Sequence, residues 1–189
     1  MLIKKKIKIN GSKVNLRALK ISDCNKTYLS WLEDREVNKY LETRWNQHNI
    51  ESIKKHVKEL NKSKNNIILA IEDNKSKKHI GNIKLGPINF HHKTSEISYF
   101  IGEKIFWGNG SGTEAVSLLT KYAFKELNME FLLAGVYESN KGSSSLLKKS
   151  GYVLQGRFKK QLINFEGKRE DHLWFGINKS RFLKNTHDG

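Results

Sequence analysis

Three glycines at alternate positions stand directly before a segment with the apolar periodicity of a helix. The run FWGNGSGTEAVSLLTKYAF (residues 106–124) contains Gly108, Gly110 and Gly112. Exposed amides at a helix N-terminus, aided by the helix dipole, bind anions, and a backbone without Cβ atoms allows close approach to a phosphate. The sequence therefore predicts a loop and helix start that bind a phosphate-bearing ligand. A glycine-rich connection that binds nothing is the structural alternative.

The glycine run differs from the two best-known phosphate loops. The dinucleotide fingerprint G-x-G-x-x-G needs a glycine where Thr113 stands, and no lysine follows these glycines as the P-loop requires. Ser111 and Glu114 have the S-x-x-E spacing of a capping box, which predicts that the helix begins at Ser111.

Strand and helix patterns follow one another along the rest of the chain. Apolar periodicity predicts helices from Ser22 or Asp23 to about residue 34, at 50–60 and at 113–128, and a short one closed by Gly151. Alternating or wholly apolar runs predict strands at 14–19, 66–73, 79–90, 94–106 and 131–138, and a last hairpin turns at about 164–167. We expect one α/β (α+β) domain, a mixed and mostly antiparallel central sheet of about seven strands flanked by about four helices. Its core spans about 14–178, and 179–189 form a flexible tail.

The chain is strongly basic, with 35 Lys and Arg against 19 Asp and Glu and a formal net charge of +16. Such a field attracts nucleic acid, acidic membrane surfaces or phosphorylated small molecules. The lysines at 4–6 alternate with apolar residues, so we expect an exposed edge strand there rather than a nucleic-acid arm. No apolar run approaches the roughly 20 residues of a membrane span. We expect a soluble, cytoplasmic protein with no membrane partner, and Cys24 alone cannot form an intramolecular disulfide.

Several segments together resemble the GNAT superfamily of N-acetyltransferases. Trp107, Gly110 and Gly112 stand at the first, fourth and sixth positions of its motif A, Q/R-x-x-G-x-G/A, with tryptophan replacing the first residue. The tryptophan and the following TEA are similar to the subgroup of ribosomal-protein N-terminal acetyltransferases and related amino-sugar acetyltransferases. Four further segments resemble that subgroup in the same order along residues 14–178: VNLRALKISD, YLSWLEDREVNKYL, SEISYFIG and NKGSSSLLKKSGYVLQGRFKK.

The resemblance implies transfer of an acetyl group from acetyl-CoA to an amine. In that family the fourth and fifth strands splay apart, pantetheine lies in the gap, and the pyrophosphate meets the amides of the glycine loop. The cofactor-binding residues implied in this sequence are Phe100, Ile101, Gly102, Trp107, Gly108, Asn109, Gly110, Ser111, Gly112, Thr113 and Asn140.

Two residues are candidates for the proton transfers. An amine must lose a proton before it attacks, and Glu96 on the strand beside the gap is the candidate base, directly or through water. A strand carboxylate paired with a lysine is the alternative. An amide near Phe100 or Ile101 is expected to stabilise the oxyanion. Relatives often carry a tyrosine acid where Leu147 stands, so Ser143 is the substitute candidate, and a helix-start hydroxyl is its alternative. We expect Tyr137 and Tyr152 to pack.

The polar and aromatic segment after the first helix matches the place where the family forms its acceptor wall. Its candidates are Glu33, Tyr40, Arg44 and Trp45, with Arg44 clamping a phosphate or carboxylate and Trp45 stacking on a ring. A solvated loop with one packed tryptophan is the alternative. No metal site is expected at His91 and His92, because no further ligands stand at metal-binding spacing.

Two acceptors remain open, a protein N-terminus and a nucleotide-linked amino sugar, and the positive charge favours the amino sugar. Two other classes also remain. One is a basic nucleic-acid-binding module, against which stands the absence of any standard nucleic-acid motif. The other is a non-catalytic acetyl-CoA-binding protein. The sequence is compatible with a monomer or a homodimer.

Overall fold

A computed structural model of the chain describes residues 7–187 as one eight-stranded sheet with helices on both faces. The strand order is β1-β2-β3-β4-β5-β6-β8-β7, and every neighbouring pair is antiparallel except β5 and β6. The mixed, mostly antiparallel sheet predicted from the sequence is confirmed, with eight strands where about seven were expected. The strands are β1 (Lys8–Asn10), β2 (Val14–Ala18), β3 (Ile67–Asp73), β4 (His79–Asn89), β5 (Thr94–Ile101), β6 (Phe131–Tyr137), β7 (Val153–Ile163) and β8 (Arg169–Asn178).

Six α-helices and three short 3₁₀ turns connect these strands. The 3₁₀ turns are Ile21–Asp23, Glu42–Trp45 and Lys104–Phe106. The helices are α1 (Lys26–Glu33), α2 (Arg35–Asn38), α3 (Ile50–Lys62), α4 (Ser111–Lys125), α5 (Lys141–Lys149) and α6 (Lys179–His187).

The first helix begins later than the sequence predicted. Asn25 is its N-cap and accepts a hydrogen bond from Tyr28 N at 3.1 Å, so neither Ser22 nor Asp23 caps it. Asp23 is engaged elsewhere, because its carboxylate pairs with the Arg17 guanidinium at 2.7 Å and accepts from Lys20 N. These bonds hold residues 21–23 in a separate 3₁₀ turn before the helix.

The ends of the chain also differ from expectation. Residues 179–187 form α6, not a flexible tail, because Phe182 is buried and its ring lies 5.3 Å from that of Phe124. At the other end, Lys8–Asn10 is an edge strand paired with β2, whereas the lysines at 4–6, where the sequence predicted an edge strand, lie outside the described residues.

Two apolar clusters hold the helices to opposite faces of the sheet. Since successive strand residues point to opposite faces, Ile97 of β5 joins the cluster under α4 and α5, whereas Phe100 packs against the cluster under α1 and α3. The second cluster takes strand residues from β3 and β5 but none described from β6, β7 or β8. The sheet face opposite α4 and α5 therefore stays open over β6, β8 and β7.

Candidate active site

A gap opens in the middle of the sheet where β5 and β6 separate. These parallel strands pair only from Thr94 to Glu96 and from Phe131 to Leu133, although both strands run on to Ile101 and Tyr137. Glu96 and Gly135 are exposed despite lying on interior strands. The structure therefore contains the splayed strands that the family resemblance implies.

Only alternate residues of β5 direct their main-chain groups into this gap. Gly102 N donates to Ile80 O at 2.8 Å, so Gly102, and Phe100 two residues before it, bond toward β4. The main-chain groups of Tyr99 and Ile101 consequently point toward β6. Trp107 Nε1 already donates to the Ile101 carbonyl at 2.8 Å. Of the predicted strand residues, Ile101 lines the gap with its main chain and Phe100 and Gly102 do not.

The three glycines of the loop are required for different reasons. Gly108 and Gly110 have φ values of +74° and +91°, in the left-handed region that residues with a Cβ disfavour. Gly112 is helical, and a Cβ added to it would meet Leu146 Cδ1 at 2.8 Å. Two glycines thus shape the loop, whereas the third lets α4 pack closely against α5.

The amides at the start of α4 are only partly free. Ser111 is the first helical residue, as predicted, but its N–H donates to Asn109 Oδ1 at 2.9 Å. Gly112 and Thr113 belong to the first turn, where amides have no intrahelical partner. Within the run 109–113, the Ser111 amide is therefore engaged by a side chain, whereas the amides of Gly112 and Thr113 are available to an anion.

The predicted capping box is absent, because Glu114 binds a different segment. Its carboxylate accepts from Ser12 N at 2.8 Å, Ser12 Oγ at 2.6 Å, Lys13 N at 2.7 Å and Val14 N at 2.8 Å. Burial alone would raise the pKa of Glu114, but these hydrogen bonds outweigh it and the pKa is lowered. The N-cap of α4 is Gly110, which has no side chain.

This contact brings a lysine to the glycine loop. Lys13 Nζ donates to Asn109 O at 2.6 Å, and a Cβ added to Gly110 would lie 3.1 Å from the same nitrogen. Lys13 was not predicted from the sequence. It stands 96 residues before Asn109, and no local pattern connects the two.

Asn140 and Ser143 meet β5 at the other side of the gap. Asn140 caps α5 by accepting from Ser143 N at 3.0 Å, and Ser143 Oγ lies 3.0 Å from Tyr99 Oη. Burial raises the pKa of Tyr99 to about 12, against a smaller opposing effect of the Ser143 bond. Leu147 is buried in the core, and Tyr152 packs as expected with its hydroxyl 2.8 Å from Thr120.

The open face of the sheet carries a second group of polar side chains. Glu96 pairs with Leu133, Gly135 with Trp174, and Tyr137 with His172, so these side chains share the face that α1 and α3 leave uncovered. The His172 ring lies 4.8 Å from that of Trp174. Burial lowers the pKa of His172, and the Glu42 carboxylate opposes this. His172 was not predicted from the sequence, since one histidine in a strand carries no motif.

Arg44 has a structural position, in contrast to the predicted clamp. Its side chain is 4% exposed, and Nη2 donates to Tyr137 Oη and Ile163 O, both at 2.8 Å. Nη1 donates to Leu41 O at 2.9 Å. The guanidinium therefore ties the 42–45 turn to the ends of β6 and β7 and is not free to bind an acceptor.

The other predicted acceptor residues lie around this guanidinium or on the surface. Trp45 is 58% exposed and its ring lies 4.4 Å from the Arg44 guanidinium carbon. Tyr40 packs 5.9 Å from Tyr137, whose hydroxyl donates to Glu42. Glu33 is exposed at the end of α1. Glu42 was not predicted from the sequence, and its carboxylate accepts a hydrogen bond from Tyr137 beside the gap.

A family model for the acetyltransferase (GNAT) domain matches residues 13–153 of the sequence. The chain belongs to the GNAT acetyltransferase family. The matched stretch runs from Lys13 beside the glycine loop to the beginning of β7. It therefore includes both strands of the gap and the helices α4 and α5. No described helix of this GNAT domain is long and apolar enough to cross a membrane.

Known proteins similar to this GNAT domain include one curated sequence and several solved structures. The protein named "Probable N-acetyltransferase YjcK" of Bacillus subtilis is 39% identical over 85 residues, which are 45% of this chain and 46% of that protein. The match thus spans about half of that relative's length. A GNAT acetyltransferase from Bacillus anthracis has a TM-score of 0.79 at 20% identity, covering 92% of this chain and 99% of that chain. Spermidine N-acetyltransferase from Vibrio cholerae, solved with CoA and spermine, has a TM-score of 0.80 at 20% identity with the same coverage. At these identities the two structures show a shared fold.

Proposed function

We propose that this protein transfers an acetyl group from acetyl-CoA to a primary amine. The observation that carries the proposal is the gap between β5 and β6, which opens past Glu96 and Leu133. Free helix-start amides and a lysine lie at the glycine loop, and carboxylates lie on the open sheet face. Family membership supports the same reaction class.

The residues around the gap fit acetyl-CoA. Lys13 and the amides of Gly112 and Thr113 offer positive charge and hydrogen-bond donors to phosphates. The main-chain groups of Tyr99 and the amide of Ile101 offer partners to the pantetheine amides, and Asn140 and Ser143 flank this segment. When bound, the cofactor supplies an activated acetyl thioester.

The open face fits the amine. Glu96 makes no ion pair with any residue from 7 to 187, so the lysine-paired alternative finds no support, and its exposed carboxylate is available to an ammonium group. Glu42 adds a second exposed carboxylate. The sequence predicted Glu96 as the base, directly or through water, and its exposed carboxylate also suits the binding of the ammonium form of the acceptor. On the opposite face, the Ser143 and Tyr99 hydroxyls are placed to donate a proton to the leaving sulfur.

These features favour a small cationic amine as the acceptor. The carboxylates attract an ammonium group, and the buried Arg44 no longer supports the phosphate clamp that a nucleotide-linked amino sugar would use. The name of the Vibrio cholerae protein, a spermidine N-acetyltransferase, agrees with this class of acceptor. A protein N-terminus carries the same α-amine and is the second candidate to test.

The test has two steps. Thermal unfolding is first measured with and without acetyl-CoA, and stabilisation is expected. Release of free thiol is then followed with spermidine, an N-terminal peptide and an amine-bearing nucleotide sugar, with spermidine expected to react fastest. Stabilisation without thiol release for any amine identifies a non-catalytic acetyl-CoA-binding protein, and no stabilisation at all contradicts the proposal.

A further inference from the structure

The His172 ring lies over an exposed glycine at the wall of the gap. A Cβ added to Gly135 would collide with His172 Nε2, the ring atom nearest to it. Gly135 belongs to the unpaired part of β6, since pairing with β5 ends at Leu133. A glycine on an interior strand thus makes room for one imidazole nitrogen beside the place where the two strands separate.

The hydrogen bond at the other ring nitrogen leaves this Nε2 with a lone pair. His172 Nδ1 lies 2.7 Å from Gln161 Oε1. A side-chain amide oxygen only accepts hydrogen bonds, so Nδ1 carries the proton of the neutral ring. No described residue forms a hydrogen bond with Nε2, which therefore remains a free acceptor over Gly135, at the edge of the gap.

Burial and a nearby carboxylate act on the protonation of this ring in opposite directions. Burial lowers the pKa of His172, and Glu42 acts in the opposite direction. The Glu42 carboxylate accepts a hydrogen bond from Tyr137. Glu170, on the same strand β8 as His172, accepts one from Ser139. Among the described residues, the groups that the contacts and the strand register bring to the ring are Glu42 from the 42–45 turn, Tyr137 from β6, and the neutral Phe158 and Gln161 from β7.

We propose that His172 is the base that takes the proton from the acceptor amine, and that Gln161 positions its ring. The assignment rests on the proposed function. One N–H bond of the ammonium breaks, its electron pair stays on the amine nitrogen, and the proton binds Nε2 to give an imidazolium that later releases it to water. Before this transfer, the Glu96 carboxylate attracts the ammonium group electrostatically. An imidazole suits this task better than a carboxylate, because its ordinary pKa lies near 6.5 and that of Glu near 4.3.

The first experiment compares His172→Gln with the native protein in acetyl transfer to spermidine. Glutamine keeps size and polarity but does not titrate near neutral pH. We expect kcat to fall about 10²–10⁴-fold, the rising limb of the pH–rate profile to disappear, and the KM for acetyl-CoA to stay unchanged. His92→Gln is the matched control, since His92 is an exposed histidine of the β4–β5 turn, and it should behave as the native protein.

The second experiment needs no turnover. The imidazole C–H and ¹⁵N resonances of His172, assigned by their loss in His172→Gln, are followed by NMR as the pH changes. We expect the tautomer protonated at Nδ1 and a pKa below the ordinary value. Gln161→Glu should raise that pKa, because a carboxylate favours the imidazolium, and should move the rising limb to higher pH by the same amount.

The outcomes separate this inference from the proposed function. Suppose the native protein acetylates an amine, and His172→Gln keeps the rising limb of the pH–rate profile and a kcat within about threefold of the native value. His172 is then not the base, because loss of a general base has a far larger effect on kcat. A ring protonated at Nε2 also overturns the assignment. Binding of acetyl-CoA without turnover by the native protein overturns the proposed function, and the role of His172 with it.

Discussion

At the scale of single residues, the Glu96 carboxylate is exposed although it lies on an interior strand, at the edge of the gap. It makes no ion pair within residues 7–187, although the chain carries 35 Lys and Arg. An unpaired carboxylate at the edge of the gap is therefore available to a positively charged acceptor.

Replacing Glu96 by glutamine tests this electrostatic role. A charge-assisted hydrogen bond contributes about 1.5–3 kcal/mol, so Glu96→Gln should lower kcat/KM for the amine roughly 10- to 100-fold. The rising limb of the pH profile should persist, because His172 still titrates. Steady-state kinetics against pH measures both effects, with Glu59→Gln on α3 as the control. Loss of the limb in Glu96→Gln would make Glu96 the base instead.

Gly110 offers a second test at the residue scale. Gly110→Glu introduces bulk and negative charge beside the helix-start amides, and a left-handed φ of +91° disfavours any side chain there. We expect the affinity for acetyl-CoA, measured by calorimetry, to fall at least about tenfold, which is about 1.4 kcal/mol. Gly167→Glu is the matched control, since Gly167 has φ +78° and no atom within 4 Å of an added Cβ. Equal affinity in the two variants would remove the glycine loop from the cofactor site.

Residues of the site differed in how far the sequence could predict them. The glycine loop, Asn140, Ser143 and Glu96 lie within local patterns, and the structure brings them to the gap. Lys13 reaches the loop because Glu114 binds the turn between β1 and β2, and His172 reaches the gap through sheet pairing, so both depend on contacts between elements distant in sequence. The buried position of Arg44 depends on carbonyl and hydroxyl acceptors of other elements, which a single sequence does not specify.

At the scale of elements, one carboxylate of α4 fixes the turn between β1 and β2. Glu114 accepts four hydrogen bonds from Ser12, Lys13 and Val14, and the turn in turn delivers Lys13 to the glycine loop. Helix α4, whose first turn offers amides to an anion, thus also positions the Lys13 ammonium beside them. The S-x-x-E pattern predicted the start of α4 correctly, but it could not reveal that a tertiary partner takes the glutamate.

Glu114→Gln should destabilise the fold in a pH-dependent way. Hydrogen bonds to a charged group are worth about 1.5–3 kcal/mol, so the free energy of unfolding at pH 7 should fall by about that amount. The pKa of Glu114 is lowered in the folded state, so its contribution is complete above the unfolded value near 4.3 and is lost as pH falls through the folded value. Urea unfolding at several pH values measures this.

The control for this substitution is Glu126→Gln, immediately after the same helix, where the carboxylate is exposed. It should change stability by no more than about 0.5 kcal/mol. A difference between native protein and Glu114→Gln that stays constant down to pH 3 would show that the carboxylate does not stabilise the turn through its charge.

Helices and strands with a strong apolar periodicity were predicted well, whereas the residues at which they begin and end were predicted less accurately. The four predicted helices all exist, as α1, α3, α4 and α5, because their apolar residues bury one face against the sheet. Helix α6 was missed because its burial rests mainly on Phe182 reaching Phe124, a contact between elements distant in sequence. The start of α1 was misplaced because Asp23 binds Arg17 instead of capping the helix.

At the scale of the whole molecule, the charge of the protein is divided between the two ends of the gap. The formal net charge is +16, and Lys13 lies at the glycine loop, whereas Glu96 and Glu42 are exposed on the open face. A general basic field therefore attracts a polyphosphate, while local carboxylates attract an amine. The preference for a nucleotide-linked amino sugar rested on the total net charge. That total does not contain the positions of the carboxylates on the open face.

This division predicts how ligand binding should respond to salt. A ligand that binds only the folded state at a hundredfold excess over its Kd stabilises it by about 2.7 kcal/mol, and for a domain of this size each kcal/mol raises Tm by about 2–4 °C. Acetyl-CoA should therefore raise Tm by about 5–10 °C at 0.1 M salt. The shift should shrink at 1 M salt, where the screening length falls from about 10 Å to about 3 Å. Differential scanning fluorimetry measures it.

Two comparisons make the measurement decisive. S-acetyl pantetheine, which lacks all phosphates, should give a much smaller shift with little salt dependence, because it cannot reach the amides of Gly112 and Thr113 or the Lys13 ammonium with an anion. Lys13→Met should reduce the acetyl-CoA shift and flatten its salt dependence, since one cation leaves the loop. Equal stabilisation by both ligands would place the phosphates in solvent. Stabilisation by DNA or RNA but not by acetyl-CoA would instead show that the basic surface serves nucleic acid.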